Sequence, residues 1–186
     1  LVFIVDMVNG FCREGSLHDT SILEISKEIK KLLKHCDHHI FVCDSHDLNA
    51  REFGSYPIHC VAQTAETEVI KELRPFVNTI LYKNSTNTFV AKSFQDQLSM
   101  IQENYQDIII VGCCSDICIL QFALSLNTYF NEINAQDKRV IVPINMCETY
   151  HIDRLHDQEK MNEIACDMML TNGIKVVKLG GHDGKL

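Results

Sequence analysis

Three cysteines lie within six residues of one another in the segment VGCCSDICI, at positions 111–119. A cluster of this kind can bind a metal, form a disulfide or contain a nucleophile. A zinc knuckle needs four ligands that converge on one closed site, and no second cysteine pair lies nearby in the sequence. We therefore expect one nucleophile, Cys118, with Cys113 and Cys114 as bystanders.

The cysteine usage of the whole chain argues against a disulfide framework. The nine cysteines are odd in number and scattered along 186 residues, whereas disulfide frameworks are typical of short secreted chains. The sequence also opens directly on an apolar run, without a basic leader or a cleavage site. We therefore expect reduced thiols and a cytoplasmic protein.

Asp6 and Lys83 are of the residue types that a cysteine nucleophile needs. Cys118 lies at the start of a predicted helix, with Ser115 as a candidate N-cap, and the helix dipole should lower the pKa of the thiol. Asp6 can accept the thiol proton, and Lys83 can orient Asp6 and balance its charge. Each residue alone has an ordinary structural explanation. Their coincidence at the ends of predicted strands favours a catalytic set.

A second group of polar residues follows another apolar run, within CDSHDLNAREFGSYPIHC at positions 43–60. Asp44 and His46 are two residues apart, so their side chains point the same way if the chain stays extended. Glu52 and His59 follow in a loop that could also be plain polar surface. Two imidazoles and two carboxylates suit zinc, iron or manganese. We expect one divalent metal ion, with zinc as the first choice.

These residues need a fold that brings strand ends together, and the apolar pattern predicts one. Short apolar runs alternate with amphipathic segments, which indicates strands joined by crossover helices. We predict one α/β domain over 1–186, a three-layer α/β/α arrangement with a six-stranded, mostly parallel sheet and helices on both faces. The predicted strands are 1–5, 39–43, 79–82, 107–112, 139–143 and 175–178, and the predicted helices are 21–34, 66–73, 94–104, 115–131 and 158–171. Sites in such sheets form beyond the carboxyl ends of the strands.

Composition excludes two classes of partner. The net charge is −8 and no cluster of Lys and Arg stands out, which argues against nucleic-acid binding. No apolar run approaches the roughly 20 residues of a membrane span, so no membrane partner is expected. A small-molecule amide is the expected partner, and a homo-oligomer is left open.

Taken together, the motifs resemble those of the isochorismatase-like superfamily of cysteine hydrolases, most of all its nicotinamidase branch. The resemblance covers nearly the whole chain. The matching motifs, in family order, are Asp6 with Phe11, Asp44-x-His46, Tyr56-Pro57-x-His59-Cys60, Lys83, and Gly112-x-x-Ser115-Asp116-x-Cys118. The resemblance implies a doubly wound fold and an Asp6–Lys83–Cys118 triad. It also implies a divalent metal held by Asp44, His46 and His59, with Glu52 as a further ligand in some members.

The resemblance also implies contacts to the substrate. Phe11 and Tyr56 would sandwich a ring, and the backbone amides of Cys114 and Cys118 would form an oxyanion hole. In the family this hole goes with a cis peptide bond, here between Cys113 and Cys114.

The sequence departs from the nicotinamidase pattern at several positions. The residues 48–50 are Leu-Asn-Ala, where many nicotinamidases carry a second His, and Tyr56-Pro57 replaces Trp-Pro. The segment 63–66 reads QTAE instead of Gly-Thr-x-Gly, so that loop should follow a different path. The segment NSTNTF after Lys83 lacks the aromatic residue often found near the substrate ring. These departures bear on the substrate more than on the triad.

Three functions are compatible with these residues. The first is a metal-dependent amidohydrolase that converts nicotinamide to nicotinate and ammonia through a thioester, a reaction of NAD salvage. The second keeps the triad but acts on a ureido, carbamoyl or isochorismate substrate, although those branches commonly lack the metal ligands. The third is a non-catalytic binding or redox protein on the same fold, which the nine cysteines favour and the intact triad disfavours.

Overall fold

A single parallel sheet organises the chain in the structure, a computed structural model that describes residues 1–180. Residues 181–186 of the predicted domain lie outside the described residues. The strands are β1 (Val2–Val5), β2 (His39–Asp44), β3 (Ile80–Lys83), β4 (Asp107–Cys113), β5 (Arg139–Pro143), β6 (Cys147–Glu148) and β7 (Lys175–Val177). Their order is β3-β2-β1-β4-β5-β7, with β6 beside β4, and every pair is parallel. The predicted fold class is confirmed; the two-residue strand β6 is additional, because it is too short to give a sequence pattern.

Helices and single turns connect the strands. The helices are α1 (Asn9–Cys12), α2 (Ser26–Leu33), α3 (Lys92–Gln95), α4 (Leu98–Asn104), α5 (Leu120–Glu132) and α6 (Gln158–Thr171). A tight helical turn at Thr20–Ile25 leads into α2, and a wider one at Ser115–Ile119 leads into α5. Within residues 1–180, none of the helices is long and apolar enough to cross a membrane.

The two faces of the sheet are covered by different helices. Successive residues of a strand point to opposite faces, and β1 shows this directly. Phe3 packs with Phe122 and the other apolar residues of α3–α6, with ring centroids 5.3 Å apart. Ile4 packs on the other face with Ile29 and the apolar residues of α1 and α2. The sheet is therefore buried on both sides, which explains why its strands are nearly continuous in Val and Ile.

The predicted helix over 66–73 is wrong. The backbone of this segment forms hydrogen bonds with residues 7–9 instead. The Asn9 amide donates to the Glu68 carbonyl oxygen at 2.9 Å, and Val69 forms an antiparallel bridge with Val8. The apolar residues of this segment are buried as a helical face would be, so their spacing misled the prediction. The predicted helix over 94–104 is divided into α3 and α4.

The carboxyl ends of four strands meet at one edge of the sheet. Asp6 directly follows β1, while Asp44 and Lys83 end β2 and β3 in register with each other. Gly112 lets β4 approach β1 closely, because it has a φ of +119° and a Cβ there would lie 2.0 Å from the Val5 carbonyl oxygen. This close approach brings the turn that contains Cys118 beside Asp6.

Candidate active site

Asp6, Lys83 and Cys118 meet at this edge of the sheet. The Nζ of Lys83 lies 2.8 Å from Oδ2 of Asp6 and 3.8 Å from the Sγ of Cys118. A carboxylate oxygen of Asp6 lies within 4.8 Å of the same sulfur. All three side chains are buried. The structure thus assembles an acid, an amine and a thiol that are far apart in sequence.

The backbone around Asp6 holds its carboxylate in place. Asp6 has a φ of +53°, a conformation that residues other than glycine rarely adopt. Its amide donates to the Val42 carbonyl oxygen at 2.8 Å, and its Oδ1 accepts a hydrogen bond from the Asp44 amide at 2.9 Å. Both contacts tie Asp6 to β2, so the carboxylate cannot move freely away from Lys83.

The prediction of a lowered Cys118 pKa is wrong. Burial raises the pKa of the Cys118 thiol well above its ordinary value; Lys83 acts in the opposite direction, and the carboxylates of Asp6 and Asp44 add to the rise. The expected effect of the helix start is outweighed because the sulfur lies in a water-poor site beside two acids. The thiol therefore needs a base to remove its proton.

Asp6 has the properties of that base. Burial and the nearby Asp44 carboxylate raise the pKa of Asp6 to about 7, against the lowering effect of Lys83. Burial would lower the pKa of Lys83, but the two carboxylates raise it well above its ordinary value, so the ammonium stays charged. A base that titrates near neutrality is suited to accept a thiol proton and return it later.

The turn at Ser115–Ile119 holds Cys118 differently from the predicted capped helix. Ser115 caps no helix; its hydroxyl donates to Oδ1 of Asn162 on α6. The Cys113–Cys114 peptide bond is cis, as the resemblance implied. The Sγ of Cys113 donates to the Asp6 carbonyl oxygen at 3.1 Å, so this thiol is occupied. All nine cysteines lie in the described part of the chain, and none forms a disulfide.

The other four predicted residues form a compact group next to this set. Nε2 of His46 lies 3.5 Å from Oδ2 of Asp44 and 3.8 Å from Oε1 of Glu52. Nε2 of His59 lies 3.8 and 3.9 Å from the same two oxygens. Ligands about 2.1 Å from a tetrahedral zinc ion lie about 3.4 Å from one another. The four donor atoms are thus close to the spacing that surrounds one ion.

The hydrogen bonds of the group leave its inner atoms available as ligands. Nδ1 of His46 donates to Oδ1 of Asn84 at 3.1 Å, and Nδ1 of His59 donates to the Pro57 carbonyl oxygen at 2.7 Å. Both imidazoles are thereby oriented with Nε2 facing the group, as in metal-binding histidines. Nε2 of His46 and Oε1 of Glu52 are buried and have no hydrogen-bond partner. These donors fit one divalent cation, and the mixture of nitrogen and oxygen suits zinc, iron or manganese.

Asp44 belongs to both groups. Its Oδ1 accepts a hydrogen bond from Nζ of Lys83, while its Oδ2 faces the two histidines. Burial alone would raise the pKa of Asp44, but Lys83 and His46 lower it overall, so the carboxylate is ionised. The acid–amine–thiol set and the donor group therefore share one side chain.

The loop after His59 contains two residues, other than glycine, with a positive φ. Cys60 and Gln63 have φ values of +43° and +66°. Oε2 of Glu66 accepts a hydrogen bond from the Cys60 amide at 2.7 Å and so fixes the residue next to His59. The Glu66 carboxylate thus supports this loop, at the place where the nicotinamidase pattern has glycines.

A pocket opens onto both groups. Its lining includes the predicted residues Phe11, Tyr56, Cys114 and Cys118 and three of the metal-ligand candidates, Asp44, Glu52 and His59. Sequence reasoning missed four further lining residues, which are Leu17, Thr86, Ile117 and Tyr150. Tyr150 comes two residues after β6, so the rule that sites follow strand ends would have indicated it if β6 had been recognised. Leu17 lies in a loop and has no comparable signal.

The family follows from this fold and site together with a direct comparison. A model of the isochorismatase domain matches residues 1–166. The chain therefore belongs to the isochorismatase family, and the predicted recognition of that family is confirmed.

The chain is similar to known nicotinamidases over most of its length. Nicotinamidase 1 of Arabidopsis thaliana is 28% identical over 204 residues, which cover 94% of this chain and 83% of that protein. The structure of a nicotinamidase from Acinetobacter baumanii has a TM-score of 0.78 at 19% identity and covers 95% of this chain and 94% of its own. The L. infantum protein in complex with nicotinate has a TM-score of 0.77 at 16% identity, with coverages of 95% and 91%. At these low identities, the two structural comparisons show that the chain shares its fold with these proteins.

Proposed function

We propose that the protein is a metal-dependent nicotinamidase, which hydrolyses nicotinamide to nicotinate and ammonia. The observation that carries the proposal is that one pocket is lined both by Cys118 of the buried Asp6–Lys83–Cys118 set and by three members of the four-donor group. The first group suits acyl transfer from an amide. The second suits a divalent ion, which the family branches with other substrates commonly lack. Such an enzyme would supply nicotinate to NAD salvage in the cytoplasm.

The reaction can be written with the residues of the chain. Asp6 takes the proton from Cys118, and the thiolate attacks the amide carbonyl carbon. The amides of Cys114 and Cys118 stabilise the negative oxygen of the tetrahedral intermediate. Asp6 returns the proton to the departing nitrogen, so ammonia leaves and a thioester remains. A water molecule, deprotonated by Asp6, then cleaves the thioester to nicotinate and the free thiol. Lys83 stays charged and balances Asp6 throughout.

The ring of the substrate would be oriented by the four-donor group beside this set. Asp44, His46, Glu52 and His59 would hold a divalent ion, which would supply an electrophilic site for the pyridine nitrogen, directly or through water. Oε2 of Glu52 accepts a hydrogen bond from the Thr86 amide at 3.1 Å, which leaves its Oε1 for the ion. Phe11 and Tyr56 are the expected contacts of the ring, and both line the pocket.

Ammonia release from a panel of amides tests this proposal. The wild-type protein should release ammonia from nicotinamide, and Cys118→Ala should not. Cys166→Ala is the matched control, because this thiol lies on α6 outside the pocket and its loss should leave the rate unchanged. Release from ureido or carbamoyl compounds but not from nicotinamide would support the second function instead. No release from any amide would support a non-catalytic protein.

A further inference from the structure

Tyr150 has no part in the reaction above, yet it lines the pocket. Its ring stacks on the imidazole of His156, with centroids 3.9 Å apart and planes 18° from parallel. Burial, followed by the nearby Cys114 and Asp116, raises the pKa of the Tyr150 hydroxyl to about 12. The side chain therefore presents a neutral aromatic ring to whatever occupies the pocket.

His156 connects this ring to the turn that contains the nucleophile. Its Nε2 lies 2.8 Å from Oδ2 of Asp116, and its Nδ1 lies 2.8 Å from the carbonyl oxygen of Tyr150. Asp116 is two residues before Cys118 in the Ser115–Ile119 turn, and its side chain is 4% exposed. One imidazole thus holds the aromatic ring, its backbone and the nucleophile turn in a fixed arrangement.

The loop around Tyr150 also has a contact with the segment that contains the pocket residue Leu17. The His151 amide donates to Oδ2 of Asp19 at 2.9 Å, and Asp19 lies two residues after the pocket residue Leu17. Within the loop, Ile152 and His156 exchange two backbone hydrogen bonds of 2.9 Å. A loop held at both ends positions Tyr150 before a substrate arrives.

One segment that lines the pocket offers no aromatic ring to a substrate. The segment after β3 contributes Thr86 to the pocket, which is small and polar. An aromatic amide enters a pocket most favourably when it meets rings on several sides, because ring–ring contacts add to the burial of apolar area.

We propose that Tyr150 is a specificity-determining residue that contacts the ring of an aromatic amide substrate, and that His156 is the residue that positions it. The inference rests on the proposed function, since it takes the substrate to be aromatic. It adds a substrate contact from the loop at 149–157 and a role for the Asp116–His156 pair.

Steady-state kinetics of single and double variants test both halves of the proposal. Tyr150→Leu should raise KM for nicotinamide roughly 3- to 10-fold with kcat changed less than about twofold, whereas Tyr150→Phe should keep the wild-type KM. His156→Ala should raise KM to a similar degree. The double variant Tyr150→Leu/His156→Ala should be no worse than Tyr150→Leu, because His156 acts through the ring.

Leu155→Ala is the control for changes in the loop, since this side chain is 84% exposed and its KM should match the wild type. If His156→Ala fails to fold, His156→Gln replaces it: this side chain keeps a donor for Asp116 but removes the stacked ring, and KM should still rise. Additive KM effects in the double variant, or an unchanged KM in Tyr150→Leu, would overturn the inference.

The same assays separate this inference from the proposed function. Absence of ammonia release from nicotinamide by the wild-type protein contradicts the proposed function. Release of ammonia from nicotinamide with a KM that Tyr150→Leu does not change contradicts only the inference. Turnover of aliphatic amides alone by the wild type contradicts both.

Discussion

Replacing Lys83 by Met should strongly destabilise the protein, because Lys83 is a cation buried between two buried carboxylates. Its Nζ contacts Asp6 at 2.8 Å and also Asp44, and all three side chains are at most 1% exposed. Removing one partner of a buried ion pair leaves an uncompensated charge and costs about 3–5 kcal/mol. For a chain of this size such a loss corresponds to a fall in Tm of about 6–20 °C.

Urea and thermal unfolding measure this effect, and Lys27→Met is the matched control. Lys27 also forms an ion pair, 2.6 Å from Glu24, but its side chain is 70% exposed. Exposed pairs contribute less than about 1 kcal/mol, so this variant should unfold almost as the wild type does. The comparison separates burial from the mere presence of an ion pair.

A second change identifies the physical cause of the loss. If the cost comes from unpaired negative charge, adding Asp6→Asn to Lys83→Met should recover part of the stability, because it removes one buried charge. If lost packing were the cause, the second change would only add to the damage. A Lys83→Met protein within about 2 °C of the wild-type Tm would refute the electrostatic reasoning.

Three further predictions concern the active site. Cys118→Ala should abolish ammonia release, and full activity in this variant would contradict the mechanism. Asp6→Asn should be nearly as damaging, because the asparagine keeps the shape of the side chain but removes the proton acceptor. The purified protein should contain about one divalent metal per chain by elemental analysis, and His46→Ala should lose it while circular dichroism shows an intact fold. Glu52→Gln should weaken metal binding less than His46→Ala does, since one carbonyl oxygen remains. Unchanged turnover by metal-free protein would argue against a role of the metal in orienting the ring. Cys114→Ala should cost far less activity than Cys118→Ala, because the backbone amide survives; equal losses would show that the Cys114 thiol itself takes part.

Much of the fold and the positions of the site residues could be predicted from sequence because both depend on local pattern. Strands buried on two faces read as continuous apolar runs, and parallel strands bring their carboxyl ends to one edge. Asp6, Asp44 and Lys83 could therefore be placed near one another before their contacts were known. Their roles stay proposals, but their proximity is a property of the topology.

The parts that sequence did not predict depend on tertiary surroundings. The sulfur of Cys118 has a raised pKa because of burial and two carboxylates, which a helix-start argument does not include. The segment 66–73 has helical spacing, but its backbone pairs with residues 7–9. Tyr150 reaches the pocket from a loop after a strand of two residues, so its strand-end position was not visible.

The candidate metal site and the acid–amine–thiol set are best understood as one electrostatic unit. Three carboxylates, those of Asp6, Asp44 and Glu52, share this interior with a single lysine, which leaves an excess of two negative charges when all are ionised. One divalent cation offsets that excess, whereas a monovalent ion would leave charge unpaired in a site with little water. Asp44 transmits the effect, since one of its oxygens faces the donor group and the other accepts from Lys83. A substitution in either group should therefore change the charge balance of the other.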